Sequence, residues 1–213
     1  MPKTSELSPI EKMLLTKLMI DCSGETARAL SEMMNKKVST AADSPKVLLI
    51  NDVPKLLNSE DPAITLLFTR MSGAIKGTII LSSTADNILK TADIFLHKPL
   101  GYFKNLSDEN VSVIKELANI MAGYYITALN HILHATCDSS MPELSINPRR
   151  AIEDFGFGSV YTEEILVLAL KAKFEIEGGI KEDILLLFRK NDIKKILERL
   201  IVNTNIVSNM QFG

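Results

Sequence analysis

"SGAIKGTIILSSTADNILKTADIFL", residues 72–96, returns later in the chain as "GGIKEDILLLFRKNDIKKILERLI", residues 178–201. Aligned at one constant offset, Gly73 matches Gly178, and the apolar runs that follow the two glycines also match. In each copy an apolar, strand-like segment precedes the glycine turn, and a helical pattern follows the second apolar run. The repeat therefore predicts a β-hairpin followed by a helix, once in each half of the chain.

A second match lies upstream in each half. "LMIDCSGETARALSEMM", residues 18–34, is similar to "LANIMAGYYITALNHIL", residues 117–133, and both have the apolar spacing of a helix. The period is too long for a solenoid. The chain is predicted to be a single α/β domain, residues 1–213, built by gene duplication from repeats at about 7–100 and 106–201. We expect an internally duplicated, pseudo-two-fold symmetric domain with a largely antiparallel sheet and two long helices alongside each other on one face.

Capping residues indicate where the helices begin. Ser8 and Glu11 belong to the "SPIE" pattern of a capping box with proline at the first helical position. In the second half Ser107 precedes an acidic first turn and is the expected cap of the long helix. Asp86 and Asn191 stand at matching positions of the two repeats and are predicted to cap the shorter helices.

The composition excludes several functional classes. The chain has 213 residues, 46% of them hydrophobic, and a net charge of −2, so it lacks the basic footprint of a nucleic-acid-binding protein. No apolar run approaches the roughly 18 residues that suggest a membrane span, and the N-terminus lacks the apolar core of a signal peptide. Two cysteines and three histidines give no disulfide framework and no zinc-ligand spacing. We expect a cytoplasmic protein with no nucleic-acid partner, no membrane insertion and no metal.

Two pairs of residues were weighed as alternative sites. His131 and His134 stand three positions apart on one predicted helix, but the sequence offers no third metal ligand beyond the neighbouring Cys137. Cys22 and Cys137 are interpreted as small buried hydrophobic residues, because no histidine can be argued to activate either thiol. Neither pair is predicted to form a site.

The long helix of the second half carries polar residues along one line. Ser112, Glu116 and Asn119 are spaced i, i+4 and i+7, so at about 100° per residue they form a narrow stripe, which Gly123 and Asn130 continue. Most polar stripes only face solvent, but asparagine and glycine are poor helix formers, glycine by about 1 kcal/mol relative to alanine. A partner backbone that approaches closely would explain Gly123. The apolar face is predicted to consist of Val113, Leu117, Ile120, Met121, Tyr124 and Ala128.

The first long helix lacks this polar stripe. Its matching positions hold Met13, Lys17, Ile20 and Gly24, so the glycine is kept while the carboxylate and the amide are missing. If the stripe is a functional site, the chain therefore has one such site, in the second half.

The segment "SVIKELANIMAG", residues 112–123, resembles the signature of the CheC, CheX and FliY chemotaxis phosphatases. That signature is aspartate or serine, three residues, glutamate, two residues and asparagine, with a proline further on, and Pro142 stands in the place of that proline at a long spacing. The resemblance extends over roughly residues 7–200, includes the duplicated architecture, and is closest to CheC. It implies hydrolysis of the aspartyl phosphate of the response regulator CheY, a step of two-component signalling.

The resemblance also implies roles for individual residues. Asn119 would hold a water in line with the phosphorus atom, and Glu116 would pair with the active-site lysine of the regulator. Ser112 would add a peripheral hydrogen bond, and Gly123 would let the partner surface come close. No cofactor of the protein's own is implied, and Mg²⁺ is expected in the active site of the partner regulator.

CheC proteins commonly carry two such sites and often bind CheD, a receptor-modifying deamidase. Here Met13, Lys17 and Ile20 occupy the first site, which is therefore predicted to be inactive. The alternative function is that of a non-catalytic adaptor that binds CheD or a flagellar switch component. The loss of one site and the serine at the first signature position favour the adaptor, whereas the intact Glu116 and Asn119 oppose it.

Overall fold

The computed structural model describes residues 6–57, 64–145 and 165–210. Its helices in these ranges are α1 (Pro9–Met34), α2 (Val53–Leu56), α3 (Ala85–Phe95), α4 (Asp108–Leu133) and α5 (Lys190–Met210). Its strands in these ranges are β1 (Val38–Ala42), β2 (Lys46–Leu49), β3 (Ile64–Gly73), β4 (Gly77–Thr84), β5 (Cys137–Ser139), β6 (Glu143–Ser145), β7 (Leu166–Ile176) and β8 (Ile180–Arg189). A 3-10 turn, Ile50–Asp52, leads into α2.

The repeated segments form the centre of one sheet. The strand order is β1–β7–β8–β4–β3–β5, with β2 also paired to β7 and β6 also paired to β3. β4 and β8 pair antiparallel, with Ile79 opposite Leu186 and Leu81 opposite Ile184. Each half of the chain therefore supplies one of the two central strands, and neither half completes the sheet without the other.

The strand order has a two-fold pattern. β1, β3 and β4 of the first half correspond to β5, β7 and β8 of the second half. If each strand is replaced by its counterpart, the same strand order is read from the opposite edge of the sheet. All strand pairings within the described ranges are antiparallel. The predicted α/β class with a largely antiparallel sheet is therefore confirmed. The origin by gene duplication and the extent of the single domain stay predictions.

The sheet has apolar residues on both faces because successive side chains of a strand point in opposite directions. One face and the helices α1, α3, α4 and α5 enclose the main core, to which the strands contribute Leu67, Ile79, Leu81, Leu170, Ile184 and Leu186. The other face carries a smaller cluster beside α2, made of Leu66, Phe68, Ile80, Leu185 and Leu187 together with Val53 and Leu57. The central strands are buried on both faces, which accounts for their continuous apolar runs.

The two long helices lie alongside each other on one face of the sheet, as predicted. Tyr125 of α4 is fully buried and meets Phe174 of β7 edge-on, with ring centroids 6.3 Å apart. Tyr124, the next residue, contacts α1 through a 3.9 Å hydrogen bond from its hydroxyl to the sulfur of Met33. Tyr125 therefore packs α4 against the sheet, and Tyr124 joins α4 to α1.

The predicted caps of the long helices are confirmed. The N–H of Ser8 donates to Glu11 Oε2 at 2.7 Å, and the N–H of Glu11 donates to Ser8 Oγ at 3.3 Å, which is a complete capping box. Ser107 caps α4 by accepting the N–H of Asn110 at 3.4 Å.

The predicted caps of the shorter helices are wrong. Thr84, the last residue of β4, caps α3 by accepting the N–H of Asn87 at 3.2 Å. Asp86 lies inside the first turn and pairs with Lys90 at 2.6 Å. α5 begins at Lys190, directly after β8, so Asn191 is also inside its helix. In both repeats the strand runs into the helix without a loop, which moves the helix start toward the strand.

Both hairpin turns place glycine in the left-handed region. The φ angles are 105° at Gly73 and 106° at Gly178, so the residues aligned by the repeat have the same backbone conformation. Their surroundings differ, because a Cβ on Gly73 would lie 2.4 Å from the carbonyl oxygen of Thr136, whereas a Cβ on Gly178 would have no atom within 4 Å. Gly73 is therefore required both by its positive φ angle and by the close backbone of Thr136, whereas Gly178 is required only by its positive φ angle.

Replacing these glycines with alanine should destabilise the protein unequally. Gly178→Ala should lower the free energy of unfolding by about 1–3 kcal/mol through backbone strain alone. Gly73→Ala should cost about 2 kcal/mol more, because its methyl group collides with backbone that cannot move away cheaply. Denaturant unfolding of the two variants measures the difference, and equal losses would contradict this account.

One carboxylate is buried beneath α3. Glu182 of β8 is 2% exposed, and its Oε1 accepts the hydroxyl of Thr91 at 2.6 Å. Within the part of the chain that the structure describes, its Oε2 has no hydrogen-bond partner. Burial raises the pKa of Glu182 to about 7, despite the hydrogen bond from Thr91, which lowers it. The folded protein therefore keeps a large share of Glu182 protonated up to near neutral pH, where a solvent-exposed glutamate would be ionised.

Glu182 should make the protein less stable as the pH rises. Because its folded-state pKa of about 7 exceeds the ordinary 4.5, the unfolded chain releases the proton first. The penalty should grow between these two pKa values and then level off at roughly 3 kcal/mol. Glu182→Gln should remove this loss, as measured by urea unfolding at about pH 5 and about pH 8. Glu175→Gln, on the exposed side of β7, controls for the loss of one charge, and an unchanged pH profile in Glu182→Gln would refute the assignment.

Candidate functional site

The predicted stripe lies on the solvent side of α4. Ser112 and Glu116 are exposed, and Asn119 and Gly123 are partly exposed. Helix geometry places the four residues within about 60° around the axis and about 16 Å along it. The structure therefore brings the residues of the stripe together on one accessible line.

The polar groups of the stripe are available to a partner. Within the described residues, the carboxylate of Glu116 and the amide of Asn119 have no hydrogen-bond or ion-pair partner. The hydroxyl of Ser112 donates to the carbonyl oxygen of Asp108 at 3.0 Å. Its hydrogen is thus used within the helix, and its oxygen keeps a lone pair that faces outward.

This set of groups suits the positioning of a water better than nucleophilic attack. A carboxylate can bind a cation, and an amide about one turn away can both donate to and accept from a water. The stripe contains no cysteine, histidine or activated hydroxyl that would serve as a nucleophile. Any reaction at the stripe would therefore need a substrate that is already reactive toward water.

An apolar margin runs beside the stripe, and the sequence prediction assigned its residues to the core. Tyr124 is 37% exposed, and Val113 and Ile120 are only partly buried. These residues are spaced i, i+7 and i+11, so they form a second line along the helix. This line lies about a quarter-turn from the stripe, at the edge of the buried face. Leu117, Met121 and Ala128 are buried as predicted. The helical angles of Val113, Ile120 and Tyr124 were the signal that would have identified this margin.

Asn130 does not continue the site. Its side-chain amide donates to the carbonyl oxygen of Cys137 at 3.0 Å and accepts the N–H of Cys137 at 2.8 Å. Asn130 therefore joins the end of α4 to β5 and is occupied by the fold. The stripe that remains ends at Gly123. Pro142 is buried in the short link between β5 and β6.

The matching face of α1 is apolar and also exposed. Met13 is 62% exposed and Ile20 is 53% exposed. Between them Lys17 pairs with Asp21 on the same helix at 2.8 Å. The first half therefore presents the same helix face as the second half, but without a free carboxylate or amide.

The alternative sites weighed from sequence have ordinary structural roles. Cys22 and Cys137 are buried, as predicted, and burial raises the pKa of Cys22 above its usual range. His131 lies in the last turn of α4, and His134 ends the helix in a left-handed conformation. Among the residues that the structure describes, no three His, Cys, Asp or Glu side chains cluster as metal ligands would. Over the same residues, no helix has the length and apolar content needed to cross a bilayer.

Known proteins share both the segment and the fold. Residues 110–146, which include the stripe, match the family model described as the CheC-like family. The CheY-P phosphatase CheC of Bacillus subtilis is 24% identical over 153 residues, which are 69% of this chain and 68% of that protein. FliY of Thermotoga maritima superposes with a TM-score of 0.73 at 19% identity, covering 92% of this chain and 98% of the other. CheX of Borrelia burgdorferi, solved in a complex with CheY, BeF₃ and Mg²⁺, matches with a TM-score of 0.53 at 17% identity over 82% and 97%.

These matches show that the chain has the fold of FliY and CheX and that one of its segments is similar to the CheC-like family. The match of residues 110–146 to the CheC-like family agrees with the resemblance of the signature segment to the CheC, CheX and FliY proteins. The match to the family model falls on α4 and the two short strands after it, which is where the stripe lies.

Gly123 and Gly24 should each be replaceable with a gain in stability. Both lie inside long helices, and a Cβ on either would meet no atom within 4 Å. Alanine at each position should raise the free energy of unfolding by about 1 kcal/mol, the difference between the helix propensities of the two residues. Chemical denaturation of the single variants measures this gain, and a loss at Gly123 would show that the glycine serves packing within the chain.

Proposed function

We propose that this protein hydrolyses the aspartyl phosphate of a CheY-type response regulator, with Glu116 and Asn119 as the groups that act at the phosphoryl site. The observation that carries the proposal is a free carboxylate and a free amide about one turn apart on an exposed helix face, within the segment that matches the CheC-like family. A relative named CheY-P phosphatase and a similarly folded protein solved with CheY support it. The setting would be the cytoplasm, where such regulators act.

The reaction asks little of the phosphatase. In an acyl phosphate the carboxylate is a good leaving group, so hydrolysis needs mainly an in-line water and neutralisation of charge. The water oxygen bonds to phosphorus, the bond to the aspartyl oxygen breaks, and the aspartate leaves as a carboxylate. The water's protons pass to the released phosphate and the solvent. A stripe with no nucleophile and no strong base is sufficient for this chemistry.

Asn119 is the group that we assign to the water. Its amide oxygen can accept a hydrogen from the water while its N–H₂ donates to a phosphoryl oxygen, which fixes the water in line. Asn119 is only partly exposed, so the helix surface around it restricts the directions in which the side chain can point. Ile120 and Tyr124 beside it offer apolar surface that would exclude bulk water once a partner docks.

Glu116 is the group that we assign to docking. Its carboxylate is exposed and unpaired within the described residues, so it can bind a lysine of the regulator without breaking a contact of its own. Ser112, one further turn toward the N-terminus, adds an outward-facing acceptor. Gly123 leaves bare backbone at the other end of the stripe, where the regulator surface can approach. The phosphatase would need no cofactor of its own, because Mg²⁺ would reside in the regulator.

Only the second half would be catalytic. Lys17 stands where Glu116 stands in the second half and is already paired with Asp21, and Ile20 replaces the asparagine. A cation at the docking position would repel the regulator's lysine, and an isoleucine cannot orient a water. The degenerate positions Met13, Lys17 and Ile20 would therefore add nothing to the rate.

Asn119→Ala should abolish stimulated dephosphorylation and leave the fold intact. The side chain is partly exposed and unpaired within the described residues, so its loss removes the water-positioning group without opening a cavity in the core. The rate should fall about 100-fold or more, as expected for the loss of a group that acts in the transition state. Phosphate release from phosphorylated regulator, timed with and without the protein, measures the effect.

Ile20→Ala is the matched control, because Ile20 occupies the same position of the first half. It should leave the rate unchanged.

Glu116→Gln should weaken regulator binding more than it slows the bound reaction, which separates docking from water positioning. Full activity in Asn119→Ala would overturn the assignment, and a loss of activity in Ile20→Ala would show that the first half also takes part.

A non-catalytic adaptor is the second candidate, and the exposed face of α1 favours it. Met13 and Ile20 are large apolar residues with more than half of their surface in water. A binding partner such as CheD or a flagellar switch component would give such a face a role. The same timed assay separates the candidates, because an adaptor binds the regulator or another partner without shortening the lifetime of the phosphate.

A further inference from the structure

The loop that connects the two halves, residues 96–107, presents large apolar side chains to solvent. Leu96 is 38% exposed, Leu100 is 60% exposed and Tyr102 is 57% exposed. They occur within seven consecutive residues, whereas single exposed apolar residues on a surface need no explanation. We call these three residues the loop surface.

The loop surface is held rigidly. Asp93 of α3 is fully buried, and its carboxylate accepts the N–H groups of Gly101 at 2.7 Å, Tyr102 at 3.2 Å and Phe103 at 2.9 Å. The carbonyl oxygen of the same residue accepts the N–H of Lys98 at 2.8 Å. A charged acceptor with three backbone donors is a strong anchor. A partner that bound here would therefore lose little free energy in ordering the loop.

Aromatic and cationic groups add to this order. The ring of Tyr102 packs edge-on against Phe103 with centroids 5.1 Å apart, and the ammonium of Lys98 lies 5.2 Å from the centre of the Tyr102 ring. Phe103 packs against the main core. The ring of Tyr102 is thus held between the partly buried Phe103 and the ammonium of Lys98.

A recess of about 420 Å³ lies beside Leu100. Its lining comprises Lys36, Ile94, His97, Lys98, Leu100 and the hairpin turn at Glu177 and Gly178. Such a volume admits one or two large side chains of a partner. The loop, the end of α1 and the β7–β8 turn meet there, so the recess exists only in the assembled fold.

The surroundings of the recess are basic, although the protein as a whole is acidic. The net charge of the chain is −2, yet the lining of the recess includes two lysines, Lys36 and Lys98. Among the described residues, the lining includes a single carboxylate, that of Glu177. The backbone N–H of Lys37 and the ammonium of Lys36 lower the pKa of Glu177, so this carboxylate stays charged and is already engaged by its own neighbours.

We propose that the loop surface and its recess form a docking site for an acidic, amphipathic segment of a partner protein. Leu100 and Tyr102 would take the apolar side chains of the segment, and Lys98 would face its carboxylates. The charge favours this occupant over a second copy of the chain, because two copies would bring the same lysines together. The lining of the recess does not include the residues of the α4 stripe, and the proposal does not depend on the phosphatase function.

Two synthetic peptides with the same apolar pattern test this proposal. One carries glutamate at every polar position and the other carries lysine, and binding of each to the full chain is followed by fluorescence anisotropy. The acidic peptide should bind at least about tenfold more tightly, and added salt should weaken it. Equal binding of the two peptides, or tighter binding of the lysine peptide, would overturn the proposal.

Variants locate the binding on the loop. Leu100→Ser combined with Tyr102→Ser should weaken the acidic peptide about tenfold or more, and Lys98→Glu should do so without removing an apolar group. Met141→Ser, which also changes an exposed apolar residue, and Asn119→Ala should bind like the parent protein. Unchanged binding in the loop variants would refute the site. A concentration-dependent dimer in sedimentation that Leu100→Ser abolishes would overturn the proposal and assign the surface to a second copy instead.

Discussion

The antiparallel pairing of β4 with β8 is the interaction on which the rest of the structure depends. It joins the two halves at the centre of the sheet, and both strands are apolar on both faces. Backbone groups there have no access to water, so each strand needs the other to satisfy its hydrogen bonds. The helices then cover one face because the same strands offer them a continuous apolar surface. The position of α4, and hence of its exposed stripe, follows from that packing.

The two halves share a scaffold and differ where they meet solvent. Gly24 and Gly123 keep the same open helix face, but Lys17 and Ile20 replace the carboxylate and the amide of the second half. Surface positions contribute little to stability, so they can change without loss of the fold. The core cannot change so freely, because its side chains fill one shared volume. Two similar halves can in this way present different groups on matching helix faces.

Much of the architecture was predictable because its signals are local. The hairpins, the capping box at Ser8 and the cap at Ser107 depend on residues close together in sequence. The caps at Asp86 and Asn191 were predicted wrongly, because strand pairing extends to Thr84 and Arg189 and leaves no loop before the helices. The boundary of the buried face of α4 was also misplaced at Tyr124, since the neighbouring elements decide how wide that face is. The anchor that Asp93 provides for the connecting loop gave no sequence signal, because its three donors are backbone groups that any sequence would carry.

The sequence by itself determined the repeat, the types of the elements and the line of Ser112, Glu116 and Asn119, since these depend on spacing along the chain and on helix geometry. Only the tertiary structure decided which residues of that line are free. The side chain of Asn130 is hydrogen-bonded to the backbone of Cys137, whereas Glu116 and Asn119 have no hydrogen-bond or ion-pair partner within the described residues. It also decided that the exposed Leu100 lies beside Lys36, which comes from another part of the chain. The physical reason is that hydrogen-bond satisfaction and burial depend on which segments meet in space, and spacing along one segment carries no record of the others.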